Sequence, residues 1–237
     1  MLAKWAVSAA FALFVGYDLL PDLMERRAPT SIRRGPGSAG AVALTFDDGP
    51  HPELTPLVLE ALAAASARAT FFLVGENVRR YPALVRELVG AGHAVGVHTD
   101  THRHAWLCTP ARMRQEITRC LETIGEATGR RPLWFRPPYG AFNAVTRRMA
   151  HGAGLHVALW SCDAGDWLPG ASQQGIEGRV IAGLAPGAVI DLHDGGQTLP
   201  GCRHMAAALP AVLSTMRARG LSAVHLGEFF GLPALAD

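Results

Sequence analysis

A chain of 237 residues, 49% of them apolar, can bury a full core and is not a disordered polypeptide. Its 22 basic and 20 acidic residues nearly cancel. No basic block or aromatic-interleaved basic stripe is present, so a nucleic-acid partner is excluded. Five basic and three acidic residues lie in the first forty positions, which places the whole positive excess in the N-terminal arm. Cys108, Cys120, Cys162 and Cys202 show no C-x-x-C spacing, against a zinc knuckle or thioredoxin-like motif. Their number permits two disulfides, but a chain of this size does not need them.

The chain opens with an apolar run, WAVSAAFALFVG from Trp5 to Gly16, behind Lys4. Its length suits the apolar part of a signal segment better than a full span, and extension through Leu20 gives a short anchor interrupted by Asp18. No small-x-small cleavage site follows closely. Residues 1–20 are therefore expected to be a membrane anchor or signal segment, with an apolar helix packed on the domain as the alternative. Arg26, Arg27, Arg33 and Arg34 follow the run, and the positive-inside rule would keep that flank in the cytoplasm. Residues 21–40, rich in Pro, Gly, Ser and Arg, read as a linker, and 41–237 as one domain.

From residue 41 short apolar runs alternate with amphipathic stretches. Strands are predicted at 41–46, 69–74, 94–97, 133–135, 156–161, 188–192 and 222–225. Helices are predicted between them at 55–65, 82–89, 109–129, 143–150, 172–184 and 203–219. In the third, Thr109 is the cap, Pro110 the first helical residue and Gly129 the stop. About seven strand–helix units imply parallel strands with helical crossovers, either an open doubly wound sheet or a barrel. Reactive side chains follow five separate strands: Asp47-Asp48, His98 to His102, Arg136, Asp163 to Asp166, and His193. An open sheet gathers function at one switch point and a barrel at many strand ends. The fold class is therefore α/β, a closed or nearly closed (β/α) barrel.

The stretch VALTFDDGPHPELTP drives a buried strand into two adjacent carboxylates, Asp47 and Asp48. Such a pair is costly unless a cation or an arginine compensates it. GVHTDTHRH supplies His98 and His102, four apart, which can converge on one ion. One Asp and two His make a three-ligand site for a catalytic divalent metal, and the second Asp stays free. FRPPYG puts Arg136 at a strand end before two stiffening prolines, where it could orient a carboxylate. WSCDAGDW offers Asp163, Asp166 and Trp167, and IDLHDG places His193 at the end of a buried strand. Taken singly, each is as well explained by a surface ion pair, a loop acid or a core histidine.

Taken in order, these segments resemble the polysaccharide deacetylase family, carbohydrate esterase family 4, with its NodB homology domain. The matched motifs are TFDDGP (Thr45–Pro50), HTDTH (His98–His102), RPPY (Arg136–Tyr139), DAGDW (Asp163–Trp167) and LHDG from Leu192. The resemblance implies a distorted (β/α) barrel with about seven parallel strands over residues 41–237. It also implies roles. Asp47 is the base, Arg136 holds it, and Asp48, His98 and His102 bind the metal, most often zinc, with cobalt as the other choice. His193 is the acid, kept charged by Asp166. The Tyr139 N–H stabilises the oxyanion, and Pro138, Trp167 and Leu192 contact substrate. Asp100 and His104 depart from the motif and are expected to be an exposed acid and a polar turn residue.

The expected activity is removal of N-acetyl groups from an N-acetylated polysaccharide or glycoconjugate of the cell envelope: peptidoglycan, chitin-type or poly-N-acetylglucosamine. Its rivals are an amidase or deformylase on another acylated sugar, an O-deacetylase acting for example on xylan, and a silent carbohydrate-binding module. The expected partner is that glycan, with membrane association through the N-terminus. The residues do not specify an oligomeric state.

Overall fold

The computed structural model describes residues 11–12, 14–27, 31–37, 40–196 and 199–236. Its strands are β1 (Ala41–Asp47), β2 (Thr70–Leu73), β3 (Ala94–Val97), β4 (Trp134–Phe135), β5 (His156–Val157), β6 (Cys162–Asp163), β7 (Val189–His193) and β8 (Ser222–Val224). Seven run in the order β5-β4-β3-β2-β1-β7-β6, all parallel, and β8 pairs with the N-terminal half of β1. Parallel neighbours require crossovers. These are α2 (Leu54–Ala64), α3 (Gly75–Arg80), α4 (Pro82–Gly90), α5 (Pro110–Thr128), α6 (Thr146–Gly152), α7 (Gln173–Gly183) and α8 (Leu199–Ala218), with α1 (Leu20–Arg27) before the sheet and α9 (Leu226–Phe229) after it. The result is the distorted barrel expected, curled but with a seam between β5 and β6.

Alternation along the strands builds two layers of core. Val42, Leu44 and Phe46 of β1, Phe71 and Leu73 of β2, Val95 and Val97 of β3, and Ile190 and Leu192 of β7 face the helices in one large apolar cluster. The residues between them face inward. Ala41, Ala43, Phe72, Trp134 and Val189 form a smaller inner cluster. Gly96 belongs to this inner face because a Cβ there would stand 2.8 Å from the Phe72 ring. Continuing along the same inner faces toward the strand C-termini brings Thr45, Asp47, Arg136, Asp191 and His193 above that apolar floor. A polar layer on a dry floor at this end of a β/α barrel is where function is expected.

The α5 helix has its predicted ends. The Thr109 side chain accepts from the Arg112 N–H at 3.3 Å, Pro110 opens the helix, and Gly129 closes it in the left-handed conformation at φ 67°. The N-terminal arm is built onto the barrel. Ile32 bridges Ala158 and Arg34 bridges Ala188, so residues 31–35 lie along the seam. Asp22 of α1 accepts from the Phe142 N–H at 3.0 Å, and Tyr17 O accepts from the Ala144 N–H at 2.7 Å. Among the described residues no helix is long and apolar enough to cross a membrane. Residues 1–10, half of the expected anchor, lie outside the described residues. Cys108, Cys120 and Cys162 form no disulfide, and the Cys202 thiol donates to the Gly195 carbonyl at 3.2 Å.

Candidate active site

Three donor atoms converge at the mouth of β1. His98 Nε2 and His102 Nε2 lie 3.4 and 2.9 Å from Asp48 Oδ1. His98 Nδ1 is 2.8 Å from the Arg136 carbonyl, to which it can only donate, and this leaves the Nε2 lone pair pointing at Asp48. Asp48 Oδ1 is buried yet accepts no well-aligned hydrogen bond. The separation alone would suit an ion pair with a charged imidazole. Three ligand-type atoms this close together, with no aligned hydrogen bond to Asp48 Oδ1, suit a shared cation better. Burial works against the Asp48 carboxylate, but the two imidazoles outweigh it and hold the group well below its usual range.

The loops here are strained. Of the five non-glycine residues with positive φ among the described residues, four surround this cluster: Asp48 (71°), Thr99 (67°), His102 (52°) and Tyr139 (60°). Each costs on the order of 1–3 kcal/mol, which persists only where surrounding structure over-determines it. Glu116 of α5 is one such determinant. Its carboxylate accepts from the Asp100 N–H at 2.9 Å, the Thr101 N–H at 2.8 Å and the Thr101 hydroxyl at 2.7 Å. It thereby pins the loop between the two histidines. Asp100 is buried, not exposed, and binds Arg79 at 2.7 Å rather than either histidine. On the other side Gly196 is pressed against Asp48, where a Cβ would stand 2.3 Å from Oδ2.

Arg136 organises the next group. It is wholly buried, and its Nη1 donates to Asp47 Oδ1 (2.8 Å), Asp191 Oδ1 (2.6 Å) and Thr45 Oγ1 (2.8 Å). Nε and Nη2 donate to the Ala158 and Leu159 carbonyls, and the guanidinium lies 4.2 Å over the Phe72 ring. A buried cation satisfied this fully fixes its partners rigidly. Asp47, Asp191 and His193 also bring ligand-type atoms together, but the guanidinium already serves both acids, so the first cluster is the better metal cradle.

His193 Nδ1 lies 2.8 Å from Asp166 Oδ1, and its backbone N–H donates to Asp166 Oδ2 at 2.7 Å. Burial disfavours the imidazolium, but the hydrogen bond and charge of Asp166, then Asp191 and Asp47, overcome this and raise the His193 pKa well above its ordinary value. Burial and the neighbouring Asp47 push Asp191 well above the usual carboxylate range, against the pull of Arg136 and His193. Buried Asp194 is pushed up to about 7, mainly by burial, although the Thr55 hydroxyl binds it.

Leu192 lies in the helix-facing core, on the opposite face of β7 from His193. Counting back two residues from His193 lands on Asp191, which takes the inner position instead. Pro138 is buried beneath the rim. Tyr139 and Trp167 form that rim, 60% and 46% exposed. The Tyr139 ring stacks on His104 at 5.1 Å and meets His102 at 4.9 Å. Trp167 Nε1 donates to Asp163 at 3.1 Å. His104 is more than a turn residue, because its Nδ1 also accepts the Trp106 N–H.

A strand-end layer of buried acids, an enclosed arginine and a histidine whose pKa is raised, beside three side chains that could hold a metal, suits hydrolysis. The sequence profile described as Polysaccharide deacetylase matches residues 34–158. A peptidoglycan-N-acetylglucosamine deacetylase of Bacillus cereus is 33% identical over 198 residues, 83% of this chain and 70% of the relative. A chitooligosaccharide deacetylase of Bradyrhizobium sp. is 38% identical over 170 residues, 70% of this chain and 77% of the relative. The crystal structure of a peptidoglycan N-acetylglucosamine deacetylase in complex with a naphthalenyl N-oxidanyl-benzamide superposes with a TM-score of 0.80 at 32% identity, covering 85% of this chain and 93% of that one. This chain belongs to the polysaccharide deacetylase family.

Proposed function

We propose that this deacetylase removes acetyl groups from N-acetylated sugars of a cell-envelope glycan, using Asp47 as base, His193 as acid and a zinc ion held by Asp48, His98 and His102. The observation that carries the assignment is the convergence of the buried Asp48 Oδ1, which accepts no aligned hydrogen bond, with two imidazole nitrogens at 3.4 and 2.9 Å. A carboxylate and two imidazoles leave coordination open and suit zinc, with cobalt a close substitute. When bound, such an ion supplies Lewis-acid polarisation of water and of the acyl carbonyl.

The chain's own groups do the proton work. Arg136 fixes Asp47 Oδ1, which leaves Oδ2 to take a proton from the attacking water. Asp166 ties up His193 Nδ1–H, so Nε2–H is the proton given to the departing amine. Arg136 and Asp166 are positioning residues in this scheme. The Tyr139 N–H is assigned to the developing oxyanion, and the Trp167 indole, with Pro138 behind Tyr139, to the sugar at the rim. An envelope location is supported by the peptidoglycan named for the Bacillus relative and by the apolar run at the N-terminus, which would provide membrane attachment.

The test is incubation of the metal-loaded protein with peptidoglycan, chitin oligomers and poly-N-acetylglucosamine, with acetate measured. Acetate from at least one supports the proposal. No acetate from any of them, with formate released from an N-formyl sugar, would transfer the assignment to a deformylase.

A further inference from the structure

A second recess lies beside the reacting groups. It has a volume of about 230 Å³ and is lined by Tyr139, Gly140, Leu159 and Trp160 from the barrel and by Asp22, Glu25, Arg26 and Arg33 from the N-terminal arm. Tyr139 belongs to both places, since its ring also packs on His102. The barrel side is a partly exposed indole, held in place because Gly140 lies flush against it: a Cβ there would stand 2.8 Å from Trp160.

The charges of the arm decide what this recess can hold. Asp22 is spent on the Phe142 N–H and on Arg26 at 2.7 Å. Glu25 is spent on Arg147 and on the Ser31 N–H. Arg33 has no ion pair or hydrogen bond among the described residues, although it is half-buried. Its backbone attachment is fixed. Ile32, immediately before it, is locked to the seam by its N–H to Val157 O (2.9 Å) and by its carbonyl from the Leu159 N–H (2.8 Å). An unpaired guanidinium and an indole lining one recess, with the backbone beside the arginine fixed, suit a sugar unit whose substituent carries a carboxylate.

We propose that Arg33 and Trp160 form a subsite for a carboxylate-bearing neighbour of the sugar being deacetylated, which selects an anionic glycan over a neutral one. The inference rests on the deacetylase reading and sharpens it. The two curated relatives described above are named for peptidoglycan, whose lactyl-linked peptides carry carboxylates, and for chitooligosaccharides, which are neutral. The Arg33 subsite puts this chain with the first.

The experiment uses the full-length, metal-loaded protein and a matched pair of substrates: peptidoglycan fragments with free carboxylates, and the same fragments after amidation. Acetate release gives kcat/KM for each. Wild type should prefer the free carboxylate by about tenfold or more, the usual worth of a charge-assisted hydrogen bond. In Arg33→Gln that ratio should fall toward one, through KM rather than kcat. The neighbouring exposed Arg34→Gln should keep it. Equal losses on both substrates, or an unchanged ratio, would overturn the subsite. Equilibrium binding of the free and amidated fragments to wild type and Arg33→Gln reports on Arg33 even if no acetate is released, an outcome that would instead sink the deacetylase reading.

Discussion

Glu116 lies on α5, outside every catalytic motif, yet the metal loop should depend on it. Replacing it with alanine strands two backbone donors, Asp100 N–H and Thr101 N–H, at a position only 1% exposed. A buried donor left unpaired costs about 1–3 kcal/mol, so the pair should cost about 2–6 kcal/mol. The Thr101 hydroxyl and Arg112, whose Nη2 lies 2.6 Å from Glu116 Oε1, are partly exposed and can turn to water, so they add little. Those N–H groups sit between His98 and His102, and loss of their anchor should lower metal affinity about 10–100-fold. His98 keeps its own tether to the Arg136 carbonyl, so binding should weaken rather than vanish. Glu116→Gln keeps one carbonyl acceptor and should fall between. Urea unfolding of the metal-free protein gives the first number, and zinc competition with a chromophoric chelator gives the second. Glu116→Ala with wild-type zinc affinity would refute the role of Glu116, as would a stability loss below about 1 kcal/mol.

Three further outcomes follow from the buried groups. Asp166→Asn removes the charge that holds the proton on His193, so the alkaline limb of the kcat/KM profile should move to lower pH while the acid limb stays; movement of the acid limb instead would remove His193 from the acid role. The raised His193 pKa also stabilises the fold at low pH, and this is lost as pH rises from the unfolded value through the folded one, so the loss should be smaller and complete at lower pH in the variant. Asp194, at about 7 folded against about 4 unfolded, likewise contributes stability below pH 4 that disappears by pH 7, so metal-free Asp194→Asn should gain about 4 kcal/mol relative to wild type across that window; parallel stability curves would contradict it. Leu192→Ala should cost about 2–5 kcal/mol as a core cavity with KM for acetylated oligomers unchanged, and a raised KM without destabilisation would return Leu192 to the substrate pocket.

What could be read from the sequence was local. Proline and glycine punctuation fixed α5 to within a residue, and the strand-end polar residues located the barrel mouth. Alternation along β7 would also have placed Asp191, not Leu192, beside His193, since side chains two apart share a face. The run 156–161 looks like one strand, but the ladder to β4 stops at Val157. The next two carbonyls, Ala158 and Leu159, are turned to Arg136. A six-residue helix, Gly75–Arg80, and a two-residue strand, Cys162–Asp163, are too short to leave a periodic signal. Glu116 and Asp194 were invisible because their partners lie 15 and 139 residues away, a pairing made only by the fold. Residues 21–40 read as a linker from composition, yet Asp22, Glu25 and Ile32 are tied to the barrel.

The central claim is that two adjacent carboxylates do different work, Asp48 holding the metal and Asp47 taking the proton. Zinc content and acetate release measured together on Asp47→Asn and on the His98→Ala/His102→Ala double variant test it most directly. Asp47→Asn should keep one zinc per chain and lose turnover by about a thousandfold, at the scale of general-base removal. The double variant should bind no stoichiometric zinc. Near-wild-type turnover in Asp47→Asn, or an undiminished zinc content in the double variant, would contradict the division of labour.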